Sequence, residues 1–131
     1  MDLFKRNDVF VVKEVEEGQI CMSENVFKDI AVQCYIEEIG LEEEETKNTT
    51  FLDKIMSTVQ SNCKVKVRKE EAFIVDLHMK VFYGMNIPTI AQKVRSRIVR
   101  DFDAMLGVSN VIVNIHIEGF LDMDRIRKDL S

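Results

Sequence analysis

The chain has 131 residues, 46% of them hydrophobic, which is enough to close one core without metal ions or disulfide bonds. Its longest apolar runs fall far short of the roughly 20 residues that a membrane-spanning helix needs. Its first residues also lack the apolar core of an export signal. We therefore predict a cytosolic protein of one domain and exclude an integral membrane protein.

The charge is unevenly distributed along the chain. The net charge is −5, with −8 on residues 1–62 and +3 on residues 63–131. Such polarity can orient an assembly, although most charge of this kind solvates a surface, and it does not indicate bulk nucleic-acid binding. Three cysteines with no CxxC spacing argue against a disulfide framework, and we expect Cys34 and Cys63 to be core residues.

The first half of the sequence predicts two short strands and a helix. Val9–Val15 is predicted as an edge strand, and residues 19–22 form a second strand that leads to Ser23, a residue able to cap a helix. The helix that follows carries apolar side chains on one side and ends at Gly40. The acidic residues 42–45 predict a polar connector, and residues 51–59 predict a short helix.

Residues 63–120 predict a hairpin followed by a strand, a helix and a strand. Cys63, Val65 and Val67 alternate with basic residues, and the chain returns at residue 73 into a strand with one apolar face. Apolar residues then recur every three or four positions over residues 87–106, as in a helix with one buried stripe. A second alternating strand covers residues 111–118. The predicted fold is α+β: a single small mixed sheet, two main amphipathic helices packed on it, a short helix and a hairpin. The single domain spans residues 1–131, with a core at about 9–120 and a charged tail at 121–131.

Two histidines are candidates for a metal site or an acid–base pair. Asp76 and His78 share one strand face, and His116 shares a face of another strand, so the histidines meet beside Asp76 if those strands are neighbours in register. The alternative, which we favour, is that this polar face meets solvent or a partner subunit. No phosphate-binding glycine loop and no catalytic or paired-cysteine motif accompanies them, so we predict no enzyme, cofactor, bound metal or small-molecule substrate.

Basic side chains form the second cluster. They lie on the predicted helix and on the hairpin: Lys93, Arg95, Arg97, Arg100, Lys64, Lys66 and Arg68. Such a surface can hold RNA phosphates, and the sheet needs exposed aromatic residues for base stacking, for which Phe82 is the candidate. Because no RNA-binding motif is present, we favour a solvated face or a surface for an acidic partner, such as the acidic half of another copy.

Residues 81–94, followed by Leu106 and Gly107 and then residues 111–120, resemble the alkaline-shock-protein family of bacterial cell-envelope stress proteins. The pattern is a strand ending in Tyr-Gly, a helix opening at Ile-Pro, a Leu-Gly corner and a final strand of the V-N-V-x-V-x-G type. The matching structural positions are Gly84, Asn86, Pro88, Gly107, Asn114 and Gly119. Residues 18–26 resemble the family's N-terminal element, whereas its glycine-rich stretch is replaced here by Leu41 and the acidic residues 42–45.

The resemblance implies a small cytosolic protein without known catalysis, found in Gram-positive bacteria and involved in envelope homeostasis and in alkaline or general stress. It also implies self-association and docking to a membrane-anchored protein at the inner face of the membrane. An RNA- or ribosome-binding module that uses the basic face of the helix at 87–106 stays open as the alternative.

Overall fold

The computed structural model describes residues 9–39 and 57–121. In chain order its elements are β1 (Val9–Val15), β2 (Gly18–Ser23), α1 (Glu24–Ile39), β3 (Lys64–Lys69), β4 (Phe73–Phe82), α2 (Ile87–Asp101) with a π-helical turn (Phe102–Leu106), and β5 (Val111–Leu121). Residues 57–61 are also helical. The predicted α+β class is confirmed.

The strands form two sheets, whereas the sequence predicted one. β1 and β2 pair antiparallel as a hairpin, and a separate sheet has the order β3-β4-β5. In that sheet β3 is antiparallel to β4 while β5 is parallel to it, because the chain crosses over through α2 between β4 and β5. The mixed character of the larger sheet was predicted, and the separate hairpin was not.

The two sheets and both helices meet in a cluster of phenylalanine rings. The ring of Phe27 on α1 lies 5.3 Å from that of Phe10, 5.1 Å from that of Phe73 and 5.4 Å from that of Phe102, measured between centroids. Edge-on and offset contacts of this kind stabilise a core beyond the area that they bury. Phe10 therefore joins the β1-β2 hairpin to the core of the three-stranded sheet.

Both main helices begin with a capping side chain, of which Ser23 was predicted. The Ser23 hydroxyl accepts a hydrogen bond from the Asn25 amide at 3.1 Å, and the Asn86 side chain accepts one from the Thr89 amide at 3.1 Å. Each bond satisfies an amide that has no partner within the first helical turn. Pro88 lies in the first turn of α2, where a missing N–H costs nothing.

Two glycines adopt the left-handed conformations that the sequence predicted. Gly84, after β4, has a φ of 99°, and Gly107, at the end of the π-helical turn, has a φ of 68°. Residues with a side chain rarely adopt these φ angles, so glycine is favoured at both turns. Gly107 lets the chain leave the helix toward β5.

Most residues of the predicted buried stripes are buried or half-buried, but three are exposed. The exposed fraction of Tyr83 is 85% and that of Met105 is 66%, although both belong to predicted apolar stripes, and Val26 is also exposed. Cys34 is buried as predicted, whereas Cys63 is only half-buried. The acidic connector at 42–45, the end of the first helix at Gly40, the start of the short helix and the tail beyond residue 121 lie outside the described residues.

Candidate functional site: the open face and free edge of the sheet

One face of the three-stranded sheet packs on the helices, and the other carries polar side chains. Strict alternation produces this division, since Val75, Leu77 and Met79 are fully buried while their neighbours point the other way. We call the second surface the open face. It is formed by Lys64, Lys66, Arg68, Asp76, His78, Lys80, Asn114, His116 and Glu118.

The two histidines are brought together on the open face. His78 and His116 are register partners on the parallel strands β4 and β5, and their rings stack with centroids 4.4 Å apart and planes 9° from parallel. The Glu118 carboxylate lies 3.0 Å from Nδ1 of His78, and the Asp76 carboxylate lies 4.0 Å from Nε2 of His116. The strand adjacency on which the sequence hypothesis depended is therefore present.

Asp76 is held at the centre of the open face by two neighbours. Its carboxylate accepts a hydrogen bond from the Asn114 amide group at 3.0 Å and another from the Arg68 guanidinium at 2.6 Å. These contacts, the Asn114 hydrogen bond first, lower the pKa of the Asp76 carboxyl below its usual value. Asp76 is consequently a fixed negative charge beside the histidines.

No metal site is formed by three protein groups in this arrangement. Among the residues that the structure describes, no three His, Cys, Asp or Glu side chains converge closely enough to hold an ion. Grooves of about 270 Å³ beside Arg97 and about 420 Å³ beside Ile74 lie on the described surface, and both are open to solvent.

The basic residues do not form one surface. Lys64, Lys66 and Arg68 lie on the open face, whereas the four cations of α2 lie on the helical side of the sheet. Arg97 donates to Glu37 and Glu38 at the end of α1, at 2.5 and 2.9 Å, and Arg100 pairs with Asp101. The structure thus divides the predicted surface into two and neutralises part of each.

The exposed aromatic residues differ from the predicted one. Phe82 is buried, with an exposed fraction of 9%, so the prediction that it offers a stacking surface is wrong. Tyr83 and Phe120 pack edge-on with centroids 5.4 Å apart, and both are exposed. Phe120 follows the alternation of β5, in which the even-numbered residues from Ile112 to Phe120 are exposed. A β-bulge shifts its register against β4: Met79 pairs with Ile117 but Val81 pairs with Phe120, so Glu118 and Gly119 lie opposite Lys80.

The two edges of the three-stranded sheet are built differently. On β3, the buried Glu24 carboxylate accepts a hydrogen bond from the Val67 amide at 2.9 Å, and basic side chains follow one another along the strand. On β5, no hydrogen bond joins the outer edge to any residue in 9–39 or 57–121. Both devices on β3 discourage pairing with a further strand, while the 11-residue β5 has neither.

These features define a class of protein: a small α+β domain with an open polar face and an edge strand, β5, whose outer edge is unpaired within residues 9–39 and 57–121. No helix within the described residues is long and apolar enough to cross a membrane.

Comparison with known proteins agrees with this class. The model of the alkaline shock protein 23 family, described by its cell envelope-related function, matches residues 12–121, and the chain belongs to that family. The resemblance predicted from the sequence is confirmed. Neither the curated proteins nor the solved structures include a match to the chain.

Proposed function

We propose that this chain is a non-catalytic interaction module of the cell envelope that acts in an alkaline or general stress response. It works in the cytoplasm of a Gram-positive bacterium by pairing with further copies of itself and by docking to a membrane-anchored partner at the inner face of the membrane. The family's cell envelope-related function supports the setting of this proposal.

The free edge of β5 is the observation that carries the proposal. An unpaired edge offers a row of backbone donors and acceptors to another strand, which is the commonest basis of strand addition. Ile112 and Phe120, with exposed fractions of 48% and 53%, add apolar surface along this strand. Two copies that align their β5 strands antiparallel about a two-fold axis would satisfy both edges at once.

The self-association is tested by sedimentation velocity over a range of concentrations. We expect a dimer or larger oligomer at high concentration, and we expect Ile112→Lys to shift the equilibrium toward monomer because a lysine must then be accommodated beside the pairing edge. Met105→Lys is the matched control, since Met105 is also exposed but lies on the π-helical turn. A wild-type chain that stays monomeric at all concentrations would count against self-association.

Docking is tested with charge-reversed variants of the two basic surfaces. The pair Lys93→Glu and Arg95→Glu alters the exposed side of α2, and the pair Lys64→Glu and Lys66→Glu alters the open face. We expect a membrane-anchored protein to co-purify with the wild type from the native host and to be lost in one of the two paired variants. Retention in both would contradict docking through these cations.

RNA binding remains the alternative and is tested separately. The chain is mixed with RNA over a salt series, because phosphate contacts weaken steeply as salt rises. A salt-dependent complex would support the alternative, and its absence at low salt would remove it.

A further inference from the structure

We propose that His78 and His116 bind one divalent cation of the borderline class, such as Zn²⁺ or Ni²⁺, on the open face. This inference goes beyond the proposed function and does not depend on it. It rests on the relation between the two imidazole rings and the two carboxylates beside them.

Each ring has a carboxylate next to one of its nitrogens. Glu118 lies 3.0 Å from Nδ1 of His78, and Asp76 lies 4.0 Å from Nε2 of His116. At 3.0 Å Glu118 can accept the N–H of His78 and leave the lone pair on the other ring nitrogen, as around metal-binding histidines, whereas Asp76 lies beyond hydrogen-bond distance of His116. The nitrogens without a partner among the described residues are Nε2 of His78 and Nδ1 of His116.

The backbone places both rings where one ion can reach them. His78 and His116 are register partners on adjacent strands, and their ring centroids are 4.4 Å apart. In the stacked arrangement the lone pairs lie in parallel planes, so the rings must turn to aim at a common point. The exposed fractions of the two side chains, 36% and 51%, leave room for that rotation.

The chemistry of the donors selects the class of ion. Neutral imidazole suits zinc, nickel and copper, whereas magnesium and calcium prefer oxygen donors. Since no third protein group converges on this position within the described residues, water completes the coordination. The site is therefore open and exchangeable, unlike the closed four-ligand sites that hold structural zinc.

Charges of both signs surround the histidines. The Asp76 carboxylate pairs with the Arg68 guanidinium at 2.6 Å, which offsets its negative charge. Glu118 contributes a negative charge beside His78, while Lys64, opposite His78, and Lys80 on β4 contribute positive charges. The affinity of the site for an ion therefore depends on the imidazole nitrogens.

Calorimetric titration of the full chain with Zn²⁺, without a polyhistidine tag, tests the proposal. We expect one ion per chain and loss of that binding in His78→Gln and in His116→Gln. Glu118→Gln should weaken the affinity by about tenfold, because Glu118 positions His78 and does not bind the ion. Cys21→Ser controls for the exposed thiol and should leave the affinity unchanged. Circular dichroism confirms that each variant is folded.

A second measurement locates the ion. Paramagnetic Ni²⁺ should broaden the backbone amide resonances of β4 and β5 near residues 76–80 and 114–118. Absence of Zn²⁺ binding in the wild type, binding that persists in the His78→Gln/His116→Gln double variant, or broadening centred elsewhere would each overturn the proposal. Unchanged affinity in Glu118→Gln would overturn the role given to that carboxylate.

Discussion

Tyr35 completes the hydrogen bonding of a residue that no strand pairs with. β3 begins at Lys64, opposite His78, and so does not reach Lys80. On the other side of β4, the β-bulge in β5 leaves Lys80 without a register partner. The hydroxyl of the buried Tyr35 donates to the Lys80 carbonyl at 2.5 Å and accepts from the Lys80 amide at 3.3 Å. One side chain of α1 therefore satisfies both backbone groups at the point where the sheet is interrupted.

We expect Tyr35→Phe to lower the free energy of unfolding by about 1–3 kcal/mol, since it leaves buried backbone groups without a partner. Urea denaturation measures the change. Tyr83→Phe is the matched control and should change stability little, because Tyr83 is 85% exposed. Equal effects of the two substitutions would show that the Tyr35 hydroxyl has no such role.

The thiol of Cys34 makes the free energy of unfolding decrease as pH rises in the alkaline range. Burial, and after it the hydrogen bond to Asp101, raises the pKa of Cys34 from 9.0 to about 12. Between these values the unfolded chain has lost a proton that the folded chain keeps, so stability decreases as pH rises. Burial likewise raises the pKa of Cys63 to about 12, and that thiol acts in the same direction.

We expect the free energy of unfolding to fall with pH above about 9 and to fall less steeply in Cys34→Ser. The difference in slope should approach about 1.4 kcal/mol per pH unit, the value for one proton. Urea denaturation at several pH values measures it. Cys21→Ser should keep the wild-type slope because Cys21 is exposed. A slope unaffected by Cys34→Ser would contradict this explanation.

The start of α1 protects the outer edge of β3 from pairing with a further strand. Glu24 is 6% exposed, accepts the Val67 amide and lies 3.7 Å from the Lys28 amino group. We expect Glu24→Ala to lower the free energy of unfolding by about 1–3 kcal/mol, because the Val67 N–H loses its acceptor. Glu24→Gln keeps a side-chain oxygen and should cost less. Thermal unfolding of both variants compares them, and a larger loss in Glu24→Gln would exclude this reason.

The sequence predicted those structural features that local periodicity determines. The alternation along residues 73–81 and the cap at Ser23 depend on neighbours a few positions away, and the structure confirms them. The contacts of Glu24 and Tyr35 join residues more than 40 positions apart, so no local pattern could reveal them. The bulge that pairs Val81 with Phe120 likewise depends on two strands far apart in the chain, and the continuous alternation of β5 gives no sign of it.

The distribution of charge over the molecule depends on the topology of the sheet. The sequence contains seven basic residues that suggested one cluster, but the sheet separates those of β3 from those of α2. The meeting of His78 and His116 was stated only as a condition, because strand register is set by packing across the sheet. The periodicity of apolar residues predicted the α+β class, whereas the grouping of side chains on each surface depends on the three-dimensional arrangement.

In the assembly that we propose, β5 pairs with a strand of another copy. Hydrogen exchange measured by mass spectrometry at low and high protein concentration tests this most directly, because amides that enter a strand ladder become protected. We expect protection across Val111–Leu121 to rise with concentration while that of β3, whose edge Glu24 occupies, stays constant. Exchange along β5 that is the same at every concentration, in a chain that nevertheless oligomerises, would contradict the claim.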